Sequence, residues 1–168
     1  YSPFVNEVVD FLIEHNIEGV QGNYDEAVAN DREHCGCKAE EPVQEEMAHR
    51  SFVWTKENAS QKTKEYYGKL PVELTLTFHG KNIALFHATP RKNNLYWYED
   101  RPEKFFHEMG EKVDADILVY GHTHKPYSKS IGDVLFFNPG YAGPQRFALP
   151  RSVAVLHWEG SKLREEFV

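Results

Sequence analysis

Apolar residues recur at three- and four-residue spacing from Phe4 to His15, through Phe4, Val5, Val8, Val9, Leu12 and Ile13. That period lines one face of a helix. Ser2-Pro3 reads as its N-cap and first helical position, and Asn16 as its end. The run Ile17 to Gln21 is expected to form a short strand that stops at the polar turn Gly22-Asn23. From Glu26 to about Gly68 the chain turns charged and helical. Pro42 lies near one helix start and Asn58 or Ser60 near another, so two or three surface helices are expected. The stretch 26–70 reads as a helical insertion or lid within one domain spanning 1–168.

The second half follows the period of strands. Val72 to His79 and Asn82 to His87 flank the turn residues Gly80-Lys81-Asn82 and predict a hairpin. Pro102 to Val113 reads as a helix. Ala115 to Tyr120 is nearly continuous in apolar residues, as in a buried strand, and runs into Gly121-His122-Thr123-His124. Tyr127 to Ile131, Val134 to Phe137, Ser152 to Trp158 and Lys162 to Val168 read as further strands, the last two joined by Glu159-Gly160-Ser161. The fold class is therefore α/β, in which sites gather at the carboxyl ends of strands.

The chain has 168 residues, 40% of them hydrophobic, enough for one domain with a sizeable core. No apolar run is long enough to span a bilayer and no secretory leader is readable, so no membrane partner and a cytoplasmic location are expected. Cys35 and Cys37, one residue apart in HCGCK, make a poor disulfide framework and fit a reducing compartment. A net charge of −7 argues against a broad basic face for nucleic acid. A small anionic substrate would then need local positive charge, which bound metal supplies.

Candidate chemistry centres on GHTH, because neutral imidazoles are common ligands of first-row metals and two of them share this turn. Asn23 in GNYD and His87 in LFHATP also fall where expected strands end. Taken singly, each has another reading. GNYD fits an ordinary tight turn, and His87 and the GHTH histidines fit hydrogen-bonded structural residues.

Taken in order, GNYD, FHATP, GHTH and Asn138-Pro139-Gly140 resemble the later motifs of calcineurin-like metallophosphoesterases, closest to the small prokaryotic phosphodiesterase branch. The resemblance implies a sandwich of two mixed sheets flanked by helices, with two divalent metal ions at the sheet edge. Manganese is favoured over nickel, iron or zinc. Asn23, His87 and His122 would hold one ion and His124 the other. The family's Asp-x-His turn and its bridging Gly-Asp turn do not stand in their places in this sequence. The opening β-α-β unit that carries them is therefore expected to be missing, and the chain alone is expected to bind metal weakly and to be inactive. Tyr24 occupies a position where many relatives carry a histidine as general acid, and a phenol, with a pKa near ~10, donates a proton less readily. Asp25 would buttress that loop, or cap the following helix. Arg91, with Lys92 and Asn94, is placed to reach phosphoryl oxygens, or lies in a solvated loop. The mechanism implied is in-line attack by an activated water, without a covalent enzyme intermediate.

Several features stay open. His34, Cys35 and Cys37 could bind zinc or form a surface loop or lid. Tyr66, Tyr67, Trp97 and Tyr98 could stack on a nucleobase or pack at an edge. Two functional alternatives accompany phosphoester hydrolysis: a non-catalytic protein-binding scaffold, as in the retromer subunit of this family, and a nucleotide-polyphosphate hydrolase. An oligomer is possible.

Overall fold

Residues 3–37, 42–143, 149–160 and 162–168 are described by a computed structural model of the chain. They divide into two units, Tyr1–Val72 and Glu73–Val168.

The first unit opens with α1 (Val5–Glu14). Phe4 is its N-cap, so Pro3 lies outside the helix rather than in its first turn, and Ser2 lies outside the described residues. Asn16 ends α1 as expected. It takes the left-handed conformation, φ 51°, while its N–H donates to Ile13 O and that of Ile17 to Leu12 O. These two bonds satisfy carbonyls that the helix end would otherwise leave open. Of the expected apolar stripe only Val5 and Val9 are buried.

The strand expected over Ile17 to Gln21 is absent. This stretch has no partner strand among the described residues, and Gln21 donates from its backbone to Pro71 O and from its side chain to Tyr67 O instead. Asn23 therefore begins a helix, α2 (Asn23–Ala29), rather than closing a strand. Two further helices follow, α3 (Pro42–Asn58) and α4 (Gln61–Lys69). Pro42 is the first residue of α3, where its missing N–H costs nothing. Ser60 caps α4 by accepting from the Thr63 N–H. Ala27, Val28, Phe52 and Ala59 form the small core of this unit.

The second unit is built on a five-stranded sheet in the order β1-β2-β3-β5-β4. Its strands are β1 (Glu73–Phe78), β2 (Lys81–Phe86), β3 (Ile117–Tyr120), β4 (Tyr127–Ile131) and β5 (Val134–Asn138). The three central strands are parallel, and the two edges are antiparallel to them. The β1–β2 turn is His79-Gly80, both at positive φ, so Lys81 and Asn82, expected in the turn, begin β2. The Gly-Asp dipeptide that the sequence does contain, Gly132-Asp133, is the turn between β4 and β5.

One face of the sheet carries α5 (Glu103–Gly110), which contributes Phe106 and Met109 to a core with Ala84, Phe86, Leu118, Tyr120 and Phe136. The other face, with Ile83, Ile117, Leu135 and Phe137, receives Leu156, Trp158 and Leu163 from β6 (Ala154–Glu159) and β7 (Lys162–Phe167). The second layer is thus a two-stranded antiparallel hairpin among the described residues, where a second mixed sheet was expected. In its turn Gly160 has φ 64°, and Ser161 lies outside the described residues. No helix among the described residues is long and apolar enough to cross a membrane.

Trp97 anchors the loop between β2 and α5. It is 0% exposed and stacks on Tyr120 at 4.1 Å with 7° between the rings. Replacing it with alanine is expected to lower the unfolding free energy by about 3–5 kcal/mol, through lost burial and the cavity left behind. Urea titration of the two proteins measures this, and Trp97→Phe should cost less.

Candidate metal centre

β2 and β3 pair in parallel through Phe86 and Tyr120. The next residues continue that pairing, since the Gly121 N–H donates to His87 O at 2.9 Å. This bond ties the two strand ends together just where the histidines begin. His87 Nε2 lies 3.1 Å from His122 Nδ1, with the ring centroids 4.9 Å apart.

The GHTH turn is tight. Thr123 N–H bonds to Gly121 O at 2.7 Å, and His122 and His124 both take left-handed backbone, φ 64° and 60°. Such geometry costs side chains with a Cβ roughly 1–3 kcal/mol each, so surrounding contacts must impose it. Asn138 does this from the end of β5. Fully buried, it donates from Nδ2 to Gly121 O (3.2 Å) and Thr123 Oγ1 (3.0 Å), and its Oδ1 accepts the Gly140 N–H (2.9 Å). Gly140 must be glycine: its φ is 87°, and a Cβ would fall 1.9 Å from Ser152 Oγ. Ser152 Oγ in turn donates to Pro139 O and accepts the Tyr141 N–H. The Asn138-Pro139-Gly140 segment is therefore a brace for the histidine turn.

Two rings flank that turn. Tyr96 packs against His122 with 4.3 Å between centroids, and Tyr141 stacks on His124 at 4.1 Å and 4°. Neither tyrosine was singled out from the sequence. The pattern Tyr96-Trp97-Tyr98 held a usable signal, because an extended segment that buries Trp97 turns its neighbours to the opposite side.

Burial, followed by the neighbouring His122 and His124, pushes the His87 pKa down to about 3. His87 is thus a neutral imidazole at ordinary pH, the form that binds metal. Two imidazole nitrogens 3.1 Å apart share one proton between them, and a divalent cation suits the same pair of donors. The residues fit a first-row metal as part of a shell. Among the described residues no group of three or more His, Cys, Asp or Glu is gathered closely enough to hold an ion. His124 bears on His87 through charge and stacks on Tyr141.

The remaining expected residues have defined local roles. Asn23 is buried and donates from Nδ2 to Cys35 O (2.9 Å) and Cys37 Sγ (3.0 Å). Tyr24 donates its hydroxyl to Ala48 O at 2.9 Å and packs edge-on against Phe52. Asp25 accepts the Gly22 N–H at 2.7 Å, which makes it a cap of α2, and burial raises its pKa. Cys37, chiefly by hydrogen bonding, holds the Cys35 thiol down at about 7. Arg91 stands on the loop after β2, about half exposed, with its guanidinium 3.8 Å from Glu108 of α5. Trp97, buried in the core, is closed to a nucleobase.

A family model, the calcineurin-like phosphoesterase superfamily domain, matches residues 2–161. The chain belongs to that superfamily. It is 38% identical over 60 residues to a probable metallophosphoesterase of Methanothermobacter thermautotrophicus, a match covering 36% of this chain and 34% of the relative. It is 42% identical over 41 residues to the phosphodiesterase YfcE of Escherichia coli K12, covering 24% and 22%. The chain thus matches about a third or less of the length of these relatives. Among solved structures, a hypothetical protein of Pyrococcus horikoshii OT3 superposes with a TM-score of 0.73 at 18% identity, over 99% of this chain and 69% of that one. A metallophosphoesterase of Sphaerobacter thermophilus gives 0.66 at 18%, over 97% and 71%. The fold is metallophosphoesterase-like: an α/β arrangement of a mixed five-stranded sheet, a small second sheet and helices.

Two outcomes follow from this geometry. Asn138→Ala leaves the carbonyl of Gly121 and the hydroxyl of Thr123 without their buried donor and should cost about 1–3 kcal/mol in denaturant titration. The His87 pKa is depressed in the folded chain, so the unfolded chain binds the extra proton first. Its stabilising contribution is complete above the unfolded pKa of about 6.5 and is lost as pH falls toward about 3. The urea midpoint should therefore fall from pH 7 to pH 4, and fall less steeply in His87→Asn.

Proposed function

We propose that this chain carries part of the metal centre of a phosphoester hydrolase acting on a small phosphodiester or phosphomonoester. The observation that carries the reading is the close pairing of His87 and His122 at the ends of two parallel strands. Family membership supports phosphoester hydrolysis as the reaction class. His87 and His122 would hold one divalent ion and His124 would face a second, with manganese the favoured metal. Asn23 is a candidate ligand on the order of the motifs alone.

Bound divalent metal supplies positive charge against the phosphoryl oxygens and lets water act as a nucleophile at neutral pH. The chain's own residues prepare for that. Burial keeps His87 neutral, so its lone pair stays available. Asn138 holds the backbone of the GHTH turn, and Tyr96 lies along the His122 ring. Asp25 fixes the start of α2, where Asn23 stands. Tyr24 spends its hydroxyl proton on Ala48 O, which supports a positioning role for it rather than that of proton donor. Arg91 remains the candidate for contact with the substrate phosphate.

Hydrolysis of bis-p-nitrophenyl phosphate with manganese, by the protein that carries this chain, tests the proposal. His122→Ala should reduce it by about 100-fold or more, at least as much as loss of an outer-shell partner costs a metal site. Undiminished turnover in that variant would overturn the assignment.

A further inference from the structure

The first unit contains a second constellation of reactive side chains that the hydrolytic reading leaves unused. Cys35 and Cys37 are separated by Gly36, whose φ of 70° folds the chain back on itself. The Cys37 N–H donates to Cys35 Sγ at 3.4 Å, so the turn already brings the Cys37 backbone onto the Cys35 sulfur. Neither is fully buried. On one side, Cys35 packs against the core of Ala27, Val28 and Phe52. On the other, the Asn23 amide donates to Cys37 Sγ at 3.0 Å and to Cys35 O at 2.9 Å. A one-residue spacer held in a glycine conformation, a Cys37 backbone already bonded to the Cys35 sulfur and partial exposure favour reversible closure of a small disulfide ring.

We propose that Cys35 and Cys37 form a thiol–disulfide exchange site that reacts with low-molecular-weight disulfides and is tuned by Asn23. One cysteine sulfur attacks a disulfide RSSR to give a mixed disulfide and release one RSH. The other cysteine sulfur then attacks the protein-bound sulfur and releases a second RSH. The pair loses two electrons and two protons, and the two RSH molecules carry them away. The Asn23 amide hydrogen bonds to a Cys37 sulfur that is richer in electrons as a thiol or thiolate than as a disulfide. It therefore stabilises the reduced form, and closing the ring loosens a contact that holds Asn23. The exchange site stands whether or not Asn23 binds metal.

The test uses the whole chain equilibrated with glutathione and oxidised glutathione over a range of ratios, quenched with acid and alkylated with iodoacetamide before mass spectrometry. The expected product is a monomer two hydrogens lighter than the reduced chain and resistant to alkylation, reopened by dithiothreitol. Cys35→Ser and Cys37→Ser should each stop at a glutathione adduct. Asn23→Ala should shift the midpoint ratio toward the disulfide by roughly two- to tenfold, the worth of one hydrogen bond. Two free, alkylatable thiols at every ratio, or only dimers between chains, would overturn the exchange site. A midpoint unmoved in folded Asn23→Ala would overturn the role of Asn23.

Discussion

The parallel register of β2 and β3 is the constraint on which the candidate centre depends. With Phe86 opposite Tyr120, the next residues meet, and the Gly121 N–H finds the His87 carbonyl. Without that register the two imidazoles would not stand 3.1 Å apart. Register in a buried sheet is itself a packing outcome, because a slip of one residue turns every side chain to the other face. Here Ala84, Phe86, Leu118 and Tyr120 must meet the layer of Trp97 and Phe106, while Ile83 and Ile117 meet the β6–β7 hairpin. The core on both faces therefore sets the geometry of the histidines at the edge.

The strain of the site is absorbed in the same unit. Two histidines in left-handed backbone are costly, and a turn left to itself would relax. Asn138 prevents this because it is buried, and its amide hydrogens have their acceptors in the Gly121 carbonyl and the Thr123 hydroxyl. A motif read from sequence as one more family mark thus has a mechanical role. It converts the rigidity of β5 into the shape of the loop that carries His122 and His124.

Much of this was readable in the residues, for physical reasons that differ by segment. The buried strand before GHTH, the hairpin just before His87 and the end of α1 at Asn16 all follow from strong local patterns of apolar spacing and turn chemistry. Ile17 to Gln21 misled because an apolar run becomes a strand only when another strand pairs with it, and its neighbours here are Pro71 and Tyr67. Asn23 was expected at the end of that strand and stands instead at the start of α2. The hydrogen bonds from Asn23 to the Cys35-Gly36-Cys37 segment were hidden for a related reason. They join residues twelve and fourteen positions apart across an irregular loop, where no periodicity marks who meets whom. Tyr96 and Tyr141 were missed because ring contacts with the histidines depend on tertiary packing alone.

We propose the His87–His122 pair as metal ligands rather than a purely structural hydrogen bond. Crystals of the protein soaked in manganese and measured at the manganese absorption edge test it most directly. An anomalous peak is expected within bonding distance of ring nitrogens of both His87 and His122. A full-occupancy peak elsewhere, or an unbroken His87–His122 hydrogen bond with no peak beside it, would contradict it.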